Sequence, residues 1–229
     1  MTESKISVII PAVDEEAFLE KCINSVRMQK KKPCEIIVSI NGSKDATLEI
    51  AKRMADTVVA STTALGAAEA RNLGAAKAVG NILVFLDADC TISENMFEEI
   101  EKILSEGPAL GTALAEPDRL HPAALVYIHF KNFLHSTRLH RGAFGMLFCT
   151  KEVFDKAGGF SKKLRIGELG EFINRARRAG IPYRVIESGW TTVSMRRLST
   201  RGYLRTMFFW IRWGVAQSPH KKSEIAGEY

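Results

Sequence analysis

Two aspartates separated by a single alanine close the apolar run of LVFLDADC, residues 83 to 90. In an extended chain, residues two apart point the same way, so Asp87 and Asp89 would project together, ~6.6 Å apart along the strand. Carboxylates so placed repel each other. A hard divalent cation such as Mg²⁺ or Mn²⁺ relieves that repulsion, because it takes carboxylate oxygens together with phosphate oxygens and water. Held there, it could neutralise a departing diphosphate by Lewis-acid assistance. The competing reading of an isolated triplet is an aspartate turn before the next element.

Other residues could serve the same chemistry. Arg71, in ARNLG, carries a planar fork suited to phosphate or ribose oxygens, although an arginine in an Ala-rich helix can equally be a surface ion-pair partner. On the residues alone, Glu15 reads as a solvated acid before a helix, and Glu168 and Glu171 as acids favoured by a helix N-terminus. Arg196 and Arg197 could meet a diphosphate or belong to a basic surface. His121, His129, His135 and His140 lack zinc-site spacing.

The elements that must position these residues follow from apolar periodicity. ISVIIP (6–11) is a continuous apolar strand of the kind buried on both faces of a parallel sheet. DEEAFLEKCINSVRMQ (14–29) places Phe18, Leu19, Cys22, Ile23 and Val26 on one helical stripe, with acids at its start. CEIIVSI (34–40) predicts a strand, NGSKDAT (41–47) a turn, LEIAKRMA (48–55) a helix and TVVAS (57–61) a strand. GAAEARNLGAAKAVG (66–80) predicts a helix closed by Gly80, followed by the strand NILVFLDAD. Alternating strands and helices argue for a doubly wound parallel sheet, whose ligands bind beyond the carboxyl ends of the strands. Further on, Ser93 is expected to cap a helix carrying Met96, Phe97, Ile100, Ile103 and Leu104. Strands are expected over 109–118, 142–150 and 183–188, and helices over 121–138 and 171–180.

Hydrophobic content of 46% and charged content of 25% exclude a disordered or collagenous chain. Cys22, Cys34, Cys90 and Cys149 form no CxxC pair, which argues for reduced thiols. The polar start MTESK leads into an apolar run too short for a signal peptide, so cytoplasmic residence is expected. From Lys151 onward there are 16 Lys/Arg against 7 Asp/Glu, a net of +9, whereas residues 1–150 carry 16 against 19. A basic half suits phosphates or an anionic membrane surface, and no nucleic-acid-binding signature accompanies it. The tail RGYLRTMFFWIRWGVAQ (201–217) forms an amphipathic stripe too short and too charged to span a bilayer. It suits packing on its own domain, a homodimer contact, or peripheral binding at the inner face of a membrane.

In their order, IIPAVDEEAFLEKCINSV, IVSINGSKDAT, GAAEARNLGAAKAVGNILVFLDAD, FCTKEVFDKAGGF and GELGEFINRARRAG resemble the successive blocks of the family-2 inverting glycosyltransferases. The resemblance covers residues 5–195. It implies a GT-A fold: an α/β, Rossmann-like doubly wound and mostly parallel sheet with helices on both faces, followed here by a C-terminal helical tail. It divides the chain into a GT-A domain over 1–196, with a nucleotide-binding half over 1–92 and an acceptor half over 93–196, and a tail over 197–229. It further implies a nucleotide-diphosphate sugar donor, Mn²⁺ or Mg²⁺ as cofactor, and transfer with inversion to an acceptor of glycan or lipid-linked type.

Residue by residue, Pro11, Ala12, Val13 and Glu15 resemble the first nucleotide-binding loop, with Asp14 in place of the usual Asn. Asn41 and Ser43 resemble the second loop, where Ile40 replaces the acid that typically recognises uracil. Arg71 and Asn72 match a donor-contacting pair. By the same resemblance Asp87 and Ala88 contact the donor, Asp87 through its ribose or a metal-bound water, and Asp89 ligates the metal with help from Asp87. The usual base position holds Leu169, which cannot accept a proton, so Glu168 is the first candidate base and Glu171 the second. Ser194 stands near the place of a metal-binding histidine. The alternative is a nucleotide-sugar binding protein with weak or no catalysis; a sugar nucleotidyltransferase is disfavoured because PAVDEE replaces its glycine-rich loop.

Overall fold

The computed structural model describes residues 3–61, 66–136, 142–164 and 166–196. The C-terminal tail, Arg197 and His140 lie outside the described residues. In chain order the elements are β1 (Ile6–Ala12), α1 (Leu19–Arg27), β2 (Glu35–Asn41), α2 (Thr47–Met54), β3 (Thr57–Ser61), α3 (Ala67–Lys77), β4 (Ile82–Leu86), β5 (Cys90–Ile92), α4 (Met96–Ser105), β6 (Leu110–Pro117), α5 (Pro122–Ser136), β7 (Met146–Thr150), α6 (Lys151–Lys156), α7 (Glu168–Arg178) and β8 (Tyr183–Val193). The strands form one sheet in the order β3-β2-β1-β4-β7-β6-β8-β5. β1 to β4 pair in parallel. β7 enters antiparallel between β4 and β6, β8 runs parallel to β6, and β5 is antiparallel to β8.

Alternation along the strands divides the core into layers. Ile6, Val8 and Ile10 face a layer with Leu19, Ile23 and Val26 of α1 and Phe97 and Ile100 of α4. Ile9, Ile37, Leu83 and Phe85 face the opposite layer, with α3, α6 and α7. This two-sided burial explains why β1, β2 and β4 read as unbroken apolar runs, and each fully buried Ile, Leu or Phe contributes about 1.5–3 kcal/mol. α5 covers β6 through Ala124, Tyr127 and Ile128 as a third, smaller layer. In the second layer Phe85, Phe154, Phe160 and Phe172 stack with ring centroids 4.9–5.7 Å apart.

α3 lies unusually close to the sheet at Gly74. A Cβ there would fall 2.4 Å from Ile9 Cγ2 and 2.8 Å from Ser39 Oγ, so only glycine allows this approach.

Three local expectations are corrected. α1 begins at Leu19 rather than at Asp14, because the acids before it are engaged by the β2–α2 loop. Ser93 does not cap α4 with its side chain; its hydroxyl accepts from Trp190 N at 3.2 Å, tying the strand turn to β8 instead. The helix expected from residue 171 starts at Glu168, behind Gly167 in the left-handed region (φ 83°).

Candidate active site

The strand carrying the two aspartates stops at Leu86. Asp87, Ala88 and Asp89 then form a tight turn closed by the Cys90 N–H donating to Asp87 O at 3.0 Å. The extended geometry expected for the pair is therefore replaced by the aspartate turn. Its entry is fixed by Asp87 N–H donating to Gly145 O at 2.7 Å. Gly145 has φ 63°, and a Cβ there would meet Cys90 Sγ at 2.4 Å, so a side chain is excluded on two grounds. Ala88 is buried between the two acids.

The turn sends its two carboxylates to two different arginines. Arg71, on α3, donates through Nη2 to Asp87 Oδ1 and through Nη1 to Glu168 Oε1, each at 2.6 Å. Arg71 is only 4% exposed and Glu168 8%, so the surface ion-pair reading of Arg71 does not hold. Burial alone would lower the pKa of Arg71, but Asp87 and Glu168 outweigh it and raise the value. The guanidinium also lies 5.9 Å from the Phe160 ring centroid. Asn72 beside it takes another part: its amide donates to Phe160 O at 2.8 Å and accepts from Phe160 N at 2.9 Å. That side chain is committed to anchoring the loop after α6.

The second arginine is Arg196. Its Nη2 pairs with Glu15 Oε1 and lies 3.2 Å from Asp89 Oδ2, while the guanidinium sits 4.6 Å from the Phe18 ring centroid. Burial opposes its charge; the hydrogen bond and charge of Glu15, then Asp89, raise its pKa. Glu15 is 7% exposed, which removes its reading as a solvated acid. The backbone that aims Arg196 is fixed by Met195 N–H donating to Asp118 Oδ1 at 2.9 Å.

The first two loops are stitched to each other. Asp14, in the left-handed region at φ 51°, donates its N–H to Ser43 Oγ and accepts from Lys44 N. Glu15 N–H donates to Thr47 Oγ1 at 2.8 Å, Glu16 N–H to Asp45 Oδ2, and Ala46 N–H to Glu16 Oε2. Pro11 and Ala12 end β1, Asn41 ends β2 buried, and Val13 stands 44% exposed at the rim. Ile40 points into the layer of α1 and α2, giving a base no polar contact.

The remaining candidates separate. Glu171 pairs with its helix neighbour Arg175 at 2.8 Å, which also donates to Gly159 O, so this acid is turned toward the α6–α7 side. Leu169 packs against the phenylalanine layer. His135 is buried beside Tyr183, its Nδ1 3.2 Å from the Tyr183 hydroxyl. Asp87 and Asp89 supply hard oxygen donors of the kind Mg²⁺ or Mn²⁺ accept, so the residues present fit such an ion completed by phosphate and water. Among the described residues no group of three His, Cys, Asp or Glu side chains is placed to hold a metal ion by itself. Sequence reasoning overlooked Phe18, Phe160 and Gly145 as parts of the site; Phe18 did lie within the first quoted block, but as a core residue of α1.

Comparison with known proteins places these residues in context. The profile of the family described as Glycosyl transferase family 2 matches residues 7–154. Glycosyltransferase AglE of Haloferax volcanii is 29% identical over 189 residues, covering 76% of this chain and 62% of AglE. The 4,4'-diaponeurosporenoate glycosyltransferase of Staphylococcus haemolyticus is 40% identical over 106 residues, covering 43% of this chain and 28% of that protein. The chain thus spans less than two thirds of these relatives. Among solved structures, S. aureus TarS in complex with UDP-GlcNAc superposes with a TM-score of 0.66 at 20% identity, over 82% of this chain and 58% of TarS. GalNAc-T7 with UDP, GalNAc and Mn²⁺ gives 0.65 at 18% identity, over 84% and 44%. Both share the GT-A fold with this chain.

Proposed function

This chain belongs to glycosyl transferase family 2, and from that premise we propose that it moves a sugar from a nucleotide-diphosphate donor to an acceptor hydroxyl or phosphate, with inversion at the anomeric carbon. The observation that carries this reading is the gathering of Asp87, Asp89, Glu15 and Glu168 around two arginines at the carboxyl end of β4, where ligands of doubly wound sheets bind. Solved neighbours hold UDP and UDP-GlcNAc, which favours a uridine donor, bound here without help from Ile40. The stitched loops of residues 11–16 and 41–47 would form a preorganised floor for the nucleoside.

Inversion needs one in-line displacement. The acceptor oxygen forms a bond to the anomeric carbon while the bond from that carbon to the diphosphate oxygen breaks, and the electron pair leaves with the diphosphate. The acceptor proton passes to Glu168. Arg71 holds Oε1 of that carboxylate, which leaves Oε2 to take the proton, and it fixes Asp87 in the same grip. Asp89, with Asp87, would hold Mg²⁺ or Mn²⁺, which supplies charge neutralisation to the diphosphate when bound. The acceptor we infer is a glycan or a lipid-linked group, because the exposed Val126 and Phe130 of α5 offer apolar surface on the acceptor side.

Release of nucleoside diphosphate from a panel of UDP, GDP, CDP and dTDP sugars, with Mn²⁺ or Mg²⁺ and varied acceptors, tests this. We expect release with at least one donor and its loss, by about 100-fold or more, in Asp89→Ala. Metal-independent turnover at the normal rate in that variant would overturn the assignment. Leu169, partly buried at the position where the resemblance places the base, favours a second reading, a nucleotide-sugar binder without turnover. Tight metal-dependent nucleotide binding with no release across the whole panel would select it.

A further inference from the structure

Arg196 stands against one carboxylate oxygen of Asp89, the residue that would hold a divalent cation. Its Nη2 is 3.2 Å from Asp89 Oδ2, and the same nitrogen pairs with Glu15 across 181 residues of sequence. A metal ion bonds a carboxylate oxygen at about 2.0–2.6 Å. An ion on Oδ2 would therefore lie against the guanidinium, and two cations that close repel strongly in a partly buried site. The arginine must move for an ion to bond that oxygen. The guanidinium lies over the Phe18 ring, 4.6 Å from its centroid, a face that can support a cation at more than one point, and Met195 N–H donating to Asp118 Oδ1 fixes the backbone beside it without engaging the Arg196 side chain. The anion that would receive it is the diphosphate, which a planar fork binds in two-pronged fashion.

We propose that Arg196 is an exchangeable counter-ion of the donor site. It competes with the divalent cation for Asp89 and, once cation and nucleotide are bound together, transfers to the diphosphate. This rests on the glycosyltransferase reading for its nucleotide half, while its metal half rests on the contacts of this chain alone. The consequence is ordered loading: Mn²⁺ alone binds weakly, because it must displace Arg196 with no new anion to receive it.

The test measures binding rather than turnover. Free Mn²⁺ is followed by electron paramagnetic resonance while MnCl₂ is titrated into the wild-type chain, Arg196→Ala and Arg196→Gln, without nucleotide and then with UDP or GDP. Removing the charge should tighten binding of Mn²⁺ alone by about tenfold and weaken binding of the diphosphate in its presence by about tenfold. Effects of opposite sign are the signature, since a general loss of structure would weaken both. Arg196→Gln, which is shorter and uncharged but keeps a hydrogen-bonding amide, should follow Arg196→Ala; thermal unfolding identifies any variant that is not folded, and the other then decides. Unchanged or weaker binding of Mn²⁺ alone in the folded variants overturns the proposal. Failure of the wild-type chain to bind any nucleoside diphosphate, with the Mn²⁺ effect intact, would instead remove the donor assignment.

Discussion

Taking away the Arg71 guanidinium would leave Asp87 and the buried Glu168 facing each other without a cation between them. We expect Arg71→Met to destabilise the fold by about 3 kcal/mol, measured by urea unfolding, because an uncompensated buried charge costs more than the pair contributes. An unchanged unfolding midpoint would contradict it. The neighbouring thiols give a second prediction at this scale. Burial first, and then the charges of Asp87 and Asp89, push the Cys22 and Cys90 thiols well above the ordinary range, and burial does the same to Cys149. A raised pKa means less thiolate at any given pH, so at pH 8 iodoacetamide should modify only the exposed Cys34. Mass spectrometry of the folded chain should find a single adduct.

Among the elements, the connection from β1 to α1 shows how polar side chains decide where a helix starts. The acids of residues 14–16 fit a helix N-terminus on composition, yet the backbone and side-chain groups of Asp14, Glu15 and Glu16 are bonded across to Ser43, Lys44, Asp45, Ala46 and Thr47. Thr47→Val removes the acceptor for Glu15 N–H and should cost about 1–2 kcal/mol with a weakened donor affinity, read by denaturation and by nucleotide titration. At the other loop, Gly145→Ala should cost about 1–3 kcal/mol, since the residue is left-handed and the new methyl would strike Cys90. Strands β1, β2 and β4 were legible because burial on both faces leaves unbroken apolar runs. β5 was not: three residues, CTI, carry no period, and it exists only through its pairing with β8. The antiparallel entry of β7 was equally hidden, because its composition says nothing about direction.

At the scale of the molecule, the pieces of the site come from far apart. Arg71 reaches Glu168 across 97 residues and Arg196 reaches Glu15 across 181. The order of blocks in the sequence made each candidate visible, but no local pattern encodes which acid meets which arginine; that is set by α3, α7 and the end of β8 converging beyond β4. The same convergence predicts that residues 1–92 cannot stand alone. A chain ending at residue 92 would leave β4 without β7 and β5 without β8, and would lose Phe154, Phe160 and Phe172, which pack around Phe85. Circular dichroism should find it largely unfolded, and a cooperative thermal transition in that fragment would refute the expectation.

Gly74, where α3 presses onto β1 and β2, sits one helical turn after Arg71 on the same buried side. A methyl group added there would act as a wedge, tilting the whole helix away from its seat and drawing the guanidinium out of its double grip. A substitution at that position would thus undo the pairing of Arg71 with Asp87 and Glu168 without altering any of those three residues.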